Sequence, residues 1–354
     1  MRILYLTAFP PNRKTGGQTF SLNAINELSK KYIIDLIYFE YSEHACEINT
    51  KNNIQNITCY DIRKFDFLKK FWIHPVFTRR FNRKLLEYIQ TIAKNYDILY
   101  FDFSQVAIYS LYIKHPYKIL RMHDVLYQKF SRKNKLLKKW ITHTERKIIS
   151  SFKKVFVPST KDVELIRNIY NIDTSYTNEY LKTIKLSDSS IEQKKQFVFY
   201  GYWKRSENIN GLIWFIEKVL PLIKSDYMII VIGGGLTNEI REKYLDCNRI
   251  KYLGFVEKPL DIILQSSALI VPLFQGAGIK VKVIDSFTAG TPVIGTDLAF
   301  EGVPDIQGLS FCANDENNFA SFINGFKPFT YNEKRNKAKE FDSIYNNHHL
   351  LEQI

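Results

Sequence analysis

Short apolar runs alternate with amphipathic stretches along this chain, and the alternation breaks once, at residues 171–195, into a polar stretch dominated by Asn, Asp, Ser and Lys. Runs too short for helices, separated by stretches long enough for them, form the pattern of a parallel α/β protein. In the first half, 3–7, 33–39, 98–101, 118–121 and 155–158 read as strands, and 18–31, 80–94, 135–150 and 160–170 as helices. The alternation restarts with strands at 197–200, 227–232, 250–253, 269–273 and 293–296, and helices at 208–223, 236–244 and 258–265. The expected fold class is therefore α/β, with two Rossmann-like domains facing across a cleft. The first spans 1–172, a linker follows over 173–195, and the second spans 196–330. A polar helix over 331–354 is expected to pack back toward the N-terminal domain. A length of 354 residues agrees with two ordinary cores.

Where a parallel sheet meets its helices, glycine-rich turns at strand ends let a ligand approach the backbone and its free amides. The fullest such turn is 276–297, GAGIKVKVIDSFTAGTPVIGTD, in which Gly278 precedes a helix carrying Lys280, Lys282 and Asp285. Free amides, a helix dipole and two lysines suit an anion, and Asp285 offers an acceptor for sugar hydroxyls. The plainer reading is an ordinary βαβ turn with two solvated lysines. Lys204 and Arg205 form a second cationic turn after a strand, followed by Asn208 and Gly211 at a helix start. Gly16 and Gly17 open the first helix, but neither a GxGxxG fingerprint nor a Gly-Lys-Ser/Thr P-loop is present. Gly233-Gly234-Gly235 reads as a structural turn. His123 and Asp124 follow a strand at the end where α/β active sites form. The histidine can act as acid, base or hydrogen-bond donor, and the adjacent aspartate can orient it.

Charge is unevenly distributed. Residues 1–190 hold 32 Lys and Arg against 17 Asp and Glu, whereas 191–354 hold 18 against 19. In 63–84, eight basic residues interleave with Phe65, Phe67, Phe71, Trp72, Phe77 and Phe81, and 128–154 hold ten basic residues and one acid, Glu145. Basic residues beside aromatics suit an anionic membrane surface. For 128–154, a solvated helix face accounts for the charge equally well. Nucleic acid is not an expected partner, because it would explain the basic half and not residues 197–303. Four scattered cysteines exclude a CxxC metal site and fit a reducing compartment. No apolar run is long enough to span a bilayer, and the N-terminus reads as a strand, not a signal peptide. The expected location is cytoplasmic, peripherally associated with the inner face of the membrane.

Together the two-halved layout, the Gly16-Gly17 turn, GYWKRSENINGLIWFIEKVLPLI, VIGGG, YLGFV and GAGIKVKVID…GTPVIGTDLAFEG resemble GT-B-fold glycosyltransferases of the family 4, glycosyl transferases group 1, type. The resemblance implies transfer of a sugar from a nucleotide-diphosphate sugar to a lipid-linked or glycan acceptor, with retention of anomeric configuration. It implies that Lys204 or Arg205 and Lys280 or Lys282 neutralise the diphosphate, that Asp285 takes the ribose-binding carboxylate position, and that His123 lies near the transferred sugar. Neither a metal nor a cofactor is expected, since lysines, arginine and helix N-termini can stabilise the leaving group. The chain departs from the pattern at Ala277, where many members carry a glutamate, and at Asp285, one methylene shorter than the usual glutamate. A non-catalytic nucleotide-sugar-binding or glycan-binding subunit of the same fold is the alternative.

Overall fold

The structure is a computed structural model that describes residues 1–12, 15–40, 54–62, 75–131, 135–177, 186, 190–276, 278–345 and 350–354, with no side-chain description at 129, 131 and 135–138. It separates into two compact units, Met1–Leu181 with His348–Ile354, and Lys182–Asn347.

In the first unit β1 (Arg2–Thr7), β2 (Ile33–Glu40), β3 (Ile54–Asp61), β4 (Ile98–Asp102), β5 (Lys118–Arg121), β6 (Lys154–Val157) and β7 (Ser175–Tyr176) form a parallel sheet ordered β3-β2-β1-β4-β5-β6-β7. Successive residues feed opposite faces. Leu4, Leu6 and Phe101 enter one core, while Ile3, Tyr5 and Tyr100 enter the other. Burial on both faces explains the continuous apolar runs. The order reverses between β1 and β4, which makes their carboxyl ends the natural place for a site. β3 was not among the expected strands, because most of its residues stay at least partly exposed and carry no clear apolar alternation.

The second unit repeats the plan with β8 (Lys194–Tyr200), β9 (Met228–Ile232), β10 (Ile250–Gly254), β11 (Ser266–Val271), β12 (Val293–Gly295) and β13 (Ser310–Cys312), ordered β10-β9-β8-β11-β12-β13, again parallel. Its order reverses between β8 and β11. Phe197, Phe199, Ile229, Val231 and Ile270 centre its core. The expected helix over 208–223 is shorter, Ser206–Trp214, and continues as a wide turn, Phe215–Val219, and a tight one, Leu220–Leu222. Pro221 has no N–H with which to extend an α-helical ladder. β13 and the helix Glu316–Asn324 add to the expected elements. Within the polar stretch expected as a linker, β7 is present at Ser175–Tyr176 and β8 starts at Lys194.

The C-terminal segment departs from expectation. The helix Tyr331–Tyr345 packs on the second unit, where Phe341 meets Phe287 edge to face at 5.5 Å. Fully buried Lys334 donates from Nζ to the carbonyls of Leu264, at 2.6 Å, and Ser266, at 2.5 Å. The amine, pushed down to about 7 by burial, thereby satisfies carbonyls at the end of the helix Pro259–Gln265. Only the last residues join the first unit: Leu350 enters its core, and Gln353 donates from Nε2 to the Tyr176 carbonyl at 3.1 Å. Gly290, at φ 65°, lies against the Lys334 backbone so closely that an added Cβ would sit 1.8 Å from its carbonyl oxygen. Lys334→Met is therefore expected to destabilise the second unit by about 2 kcal/mol, the cost of orphaning buried carbonyls. Thermal unfolding followed by circular dichroism measures it.

Candidate functional site

In the first unit the site grows from Asp102, the last residue of β4, which is paired in register with Thr7 at the end of β1 and Arg121 at the end of β5. Its side chain is completely buried. His123 Nε2 lies 2.8 Å from Asp102 Oδ1, Ser21 Oγ donates to Oδ2, and Arg121 Nη1 lies 3.8 Å from Oδ1. Burial alone would push the Asp102 carboxyl up, but the Arg121 guanidinium and His123 outweigh it and hold it at about 2. Burial pushes His123 below its ordinary value, against the attraction of Asp102. A neutral imidazole beside an ionised, acceptor-only carboxylate must carry its proton on Nε2, so Nδ1 becomes the acceptor.

The ring is fixed from the side as well. Phe103 stacks on His123 with centroids 3.6 Å apart and planes 9° from parallel, and Phe103 adopts φ 75°, rare for a residue with a Cβ. A Cβ on Gly17 would come within 3.1 Å of the Phe103 ring, so that glycine lets the first helix close on it. The helix Gly16–Leu28 thus brings Gly17 and Ser21 to the same place as His123. Asp124 lines a small hollow with Phe103, Ser104, Gln105, His123 and Leu126. The orienting role expected of Asp124 belongs to Asp102. Chain adjacency at a strand end did not place that carboxylate on the imidazole, whereas the strand register did. Glu145, expected only as a lone acid among basic residues, is buried and accepts from the amides of Leu126 and Tyr127, each at 2.9 Å, and from Tyr170 Oη. Burial pushes its carboxyl up to about 7 against those bonds. It anchors the turn that follows His123 and Asp124.

In the second unit the site lies at the ends of β8 and β11. Lys282 Nζ donates to Asn208 Oδ1 at 2.8 Å, and Asn208 Nδ2 donates to the Tyr202 carbonyl at 2.9 Å. An added Cβ on Gly201 would come within 3.1 Å of Asn208 and 3.4 Å of Lys282 Nζ, so Gly201 keeps that corner open. Burial pushes Lys282 down to about 7, with Glu207 opposing the shift and Arg205 and Lys280 adding to it. One turn along the helix Val281–Thr288, burial pushes Asp285 up to about 7, and Asp285 helps raise the Tyr200 hydroxyl beside it. Gly276 and Gly278 adopt φ 126° and 71°, and Lys280 Nζ donates back to the Gly278 carbonyl. Ala277 lies outside the described residues. Lys204 is exposed and packs on Gly235, and Arg205 caps the helix Ser206–Trp214 with its guanidinium 3.9 Å from Glu207. The structure therefore joins Asn208 and Lys282 in one corner, with Asp285 one turn along the same helix beside Tyr200, Lys280 at the neighbouring turn, and Lys204 and Arg205 exposed. Gly233 is a packing residue, since a Cβ there would fall 1.9 Å from the Gly201 carbonyl oxygen. Asp102, Ser21, Arg121 and Gly201 were missed from the sequence. The one local signal of Asp102, Arg121 and Gly201 is position at or just beyond a strand end, and Ser21, inside the first helix, carries none.

Residues 194–325 match the family model for glycosyl transferases group 1. That match covers the whole Lys282 corner. The chain has the GT-B fold. Among curated relatives, it is 26% identical over 268 residues, 64% of this chain and 67% of the other, to an uncharacterised 44.6 kDa protein in the cps region of Klebsiella pneumoniae. Among solved structures, Anabaena HepE in complex with UDP-glucose superposes with a TM-score of 0.68 at 12% identity, over 98% of this chain and 96% of that one. TarM, from S. aureus, gives 0.70 at 12% identity, over 100% and 98%.

Among the described residues of this chain, no group of three His, Cys, Asp or Glu could hold a metal ion, and no helix is long and apolar enough to cross a membrane. The basic stretches divide. Residues 63–74 lie outside the described residues. Of the remainder, Phe77 is buried and Arg80 is nearly so, donating from Nε to the Ala8 carbonyl at 2.8 Å, so neither can reach a lipid surface as expected. On the helix Lys135–Ile149, Lys139, His143, Arg146 and Lys147 are exposed, while Ile141, Glu145 and Ile148 face the core.

Asp102→Asn is expected to cost the first unit about 3 kcal/mol at pH 7, because it removes the anion opposite buried Arg121. Ser21→Ala is expected to cost about 1 kcal/mol. The Asp102 carboxyl is depressed on folding, so its contribution is present above the ordinary carboxylate range and is lost as pH falls toward about 2. Unfolding of wild type and variant across pH 2–7 should therefore converge at the acid end.

Proposed function

We propose that this protein is a glycosyltransferase that takes its sugar from a nucleotide-diphosphate donor bound by the second unit and passes it to a lipid-linked or glycan acceptor with retention of configuration. The observation that carries the reading is the Lys282–Asn208 corner beside the Gly276–Gly278 turn and the first amides of the helix Val281–Thr288. A buried ammonium at a helix start is preorganised for the charge that develops on a departing diphosphate, without reorganisation during the reaction. Asp285 takes the ribose hydroxyls, and Lys204 and Arg205 add charge from the rim. The neutral His123, held by Asp102 and Phe103, offers Nδ1 to a hydroxyl of the transferred sugar or acceptor, with Asp124 beside it. Gly16 and Gly17 give the first helix a close backbone approach. Support for a nucleotide sugar comes also from HepE, solved with UDP-glucose, and from TarM, solved with UDP and alpha-GlcNAc-glycerol. The acceptor is reached at the inner face of the membrane, where Lys139, His143, Arg146 and Lys147 meet anionic headgroups.

Incubation with a panel of nucleotide sugars, followed by assignment of the product anomer by NMR, tests the reaction. Lys282→Ala is expected to weaken nucleoside diphosphate binding about 10- to 100-fold, the weight of a charge-assisted hydrogen bond. Unchanged transfer in both Lys282→Ala and His123→Ala would remove the site assignment. Because Lys282 is pushed down to about 7, binding an anion there takes up a proton above that pH. Affinity should fall as pH rises from 7 to 9, and the slope attributable to this group should vanish in Lys282→Met. Co-sedimentation should favour anionic over neutral liposomes and over duplex DNA, and should drop when Lys139, Arg146 and Lys147 are replaced by Gln. Equal sedimentation with all three would count against the membrane assignment.

A further inference from the structure

Lys280 and Lys282 lie two residues apart and differ in what holds them. Lys282 is held by a neutral amide oxygen, whereas Lys280 Nζ lies 3.8 Å from Glu301 Oε2 and also donates to the Gly278 carbonyl. Both members of the ion pair are buried, with side-chain exposures of 10% for Lys280 and 8% for Glu301. Glu301 belongs to the segment after β12, and its position is fixed independently of Lys280. Thr296 Oγ1 donates to the Leu273 carbonyl and accepts from the Leu273 amide at 3.2 Å, tying the ends of β11 and β12 together. Turns closed by Ala299 N to Thr296 O at 2.8 Å and Val303 N to Phe300 O at 3.0 Å then carry the chain past Glu301. Phe300 packs on buried Phe287 of the helix Val281–Thr288, with centroids 6.4 Å apart. The carboxylate is thus built into the anion site and not swept there by a mobile side chain.

We propose that Glu301 is an internal counter-ion of the donor site, occupying the Lys280 ammonium until a diphosphate competes for it. The inference rests on the donor-site reading of the second unit. In a site built for anions, a carboxylate next to one of two lysines opposes phosphate at close range. Its effect is to lower affinity for the nucleoside diphosphate product while leaving Lys282 committed to the phosphates. Lys280 then exchanges Glu301 for the diphosphate on binding and returns to Glu301 on release. Glu301 is therefore a positioning residue for Lys280, and the sign of its effect separates this role from a structural one: removing a scaffold contact weakens binding, whereas removing a competing anion strengthens it.

Isothermal titration of full-length wild type and Glu301→Gln with UDP, GDP and ADP tests this, with the matching nucleosides as uncharged controls. Glu301→Gln is expected to bind the preferred diphosphate about tenfold more tightly, equivalent to roughly 1.4 kcal/mol, and to bind the nucleoside unchanged. Glu301→Asp should stay near wild type. Should Glu301→Gln unfold, Glu301→Ala is expected to shift diphosphate affinity in the same direction. Unchanged or weaker diphosphate binding by the folded variants, with wild type binding normally, overturns the counter-ion role alone. Wild type that binds none of the three diphosphates overturns the donor-site reading, and the counter-ion role with it.

Discussion

A carboxylate at the centre of a parallel sheet can stay ionised only if cations and donors replace the water it has lost, and Asp102 meets that condition through Arg121, His123 and Ser21. Those three groups come from β5, the turn after β5 and the first helix, so one charge ties together the elements around the switch in strand order. Fixing the charge also fixes the histidine, because an ionised Asp102 permits only the Nε2-protonated form of a neutral His123. Phe103 restricts the ring from the side, and its positive φ shows that the backbone accepts strain to keep that stack.

The second unit handles charge in the opposite sense. Its buried groups at the strand ends include ammonium ions as well as carboxylates, and burial pushes Lys282 down and Asp285 up, toward the same value of about 7. Both groups are held at the edge of ionisation, where a ligand of the right charge can decide their state. Lys280 and Glu301 add a pair that is neutral as a whole. Such a corner suits a ligand that brings both negative charge and hydroxyl groups, in keeping with the nucleotide sugar proposed above. Lys334, which burial also pushes down to about 7, bonds carbonyls inside the fold and takes no part in the site.

Much of this was legible in the chain. The apolar runs that became β1, β2, β4 to β6 and β8 to β12 were recognisable because strands buried on both faces must be apolar along their length. The turn carrying Gly278 into the helix with Lys280, Lys282 and Asp285 was recognisable as a strand-to-helix turn because its small residues permit positive φ. β3 was hidden because it is an edge strand with much exposed surface. Of the segment 331–354 expected to pack back toward the N-terminal domain, the end from His348 joins the first unit, whereas the helix Tyr331–Tyr345 joins the second, because its polar sequence carries no label for its partner, which Lys334 and Phe341 select by contact.

Sequence by itself determined the two α/β units, the glycine turn before the helix Val281–Thr288 and the strand end where His123 sits, since each depends on local periodicity or on the chemistry of neighbouring residues. Tertiary structure alone decided that Asp102, 21 residues before His123, is its partner in place of adjacent Asp124, that Asn208 holds Lys282 across 74 residues, and that Glu301 faces Lys280. Those pairings follow from strand order and register, which bring distant strand ends together, and from burial, which sets the strength of each charge. Neither is expressed in the residues on either side of a single position.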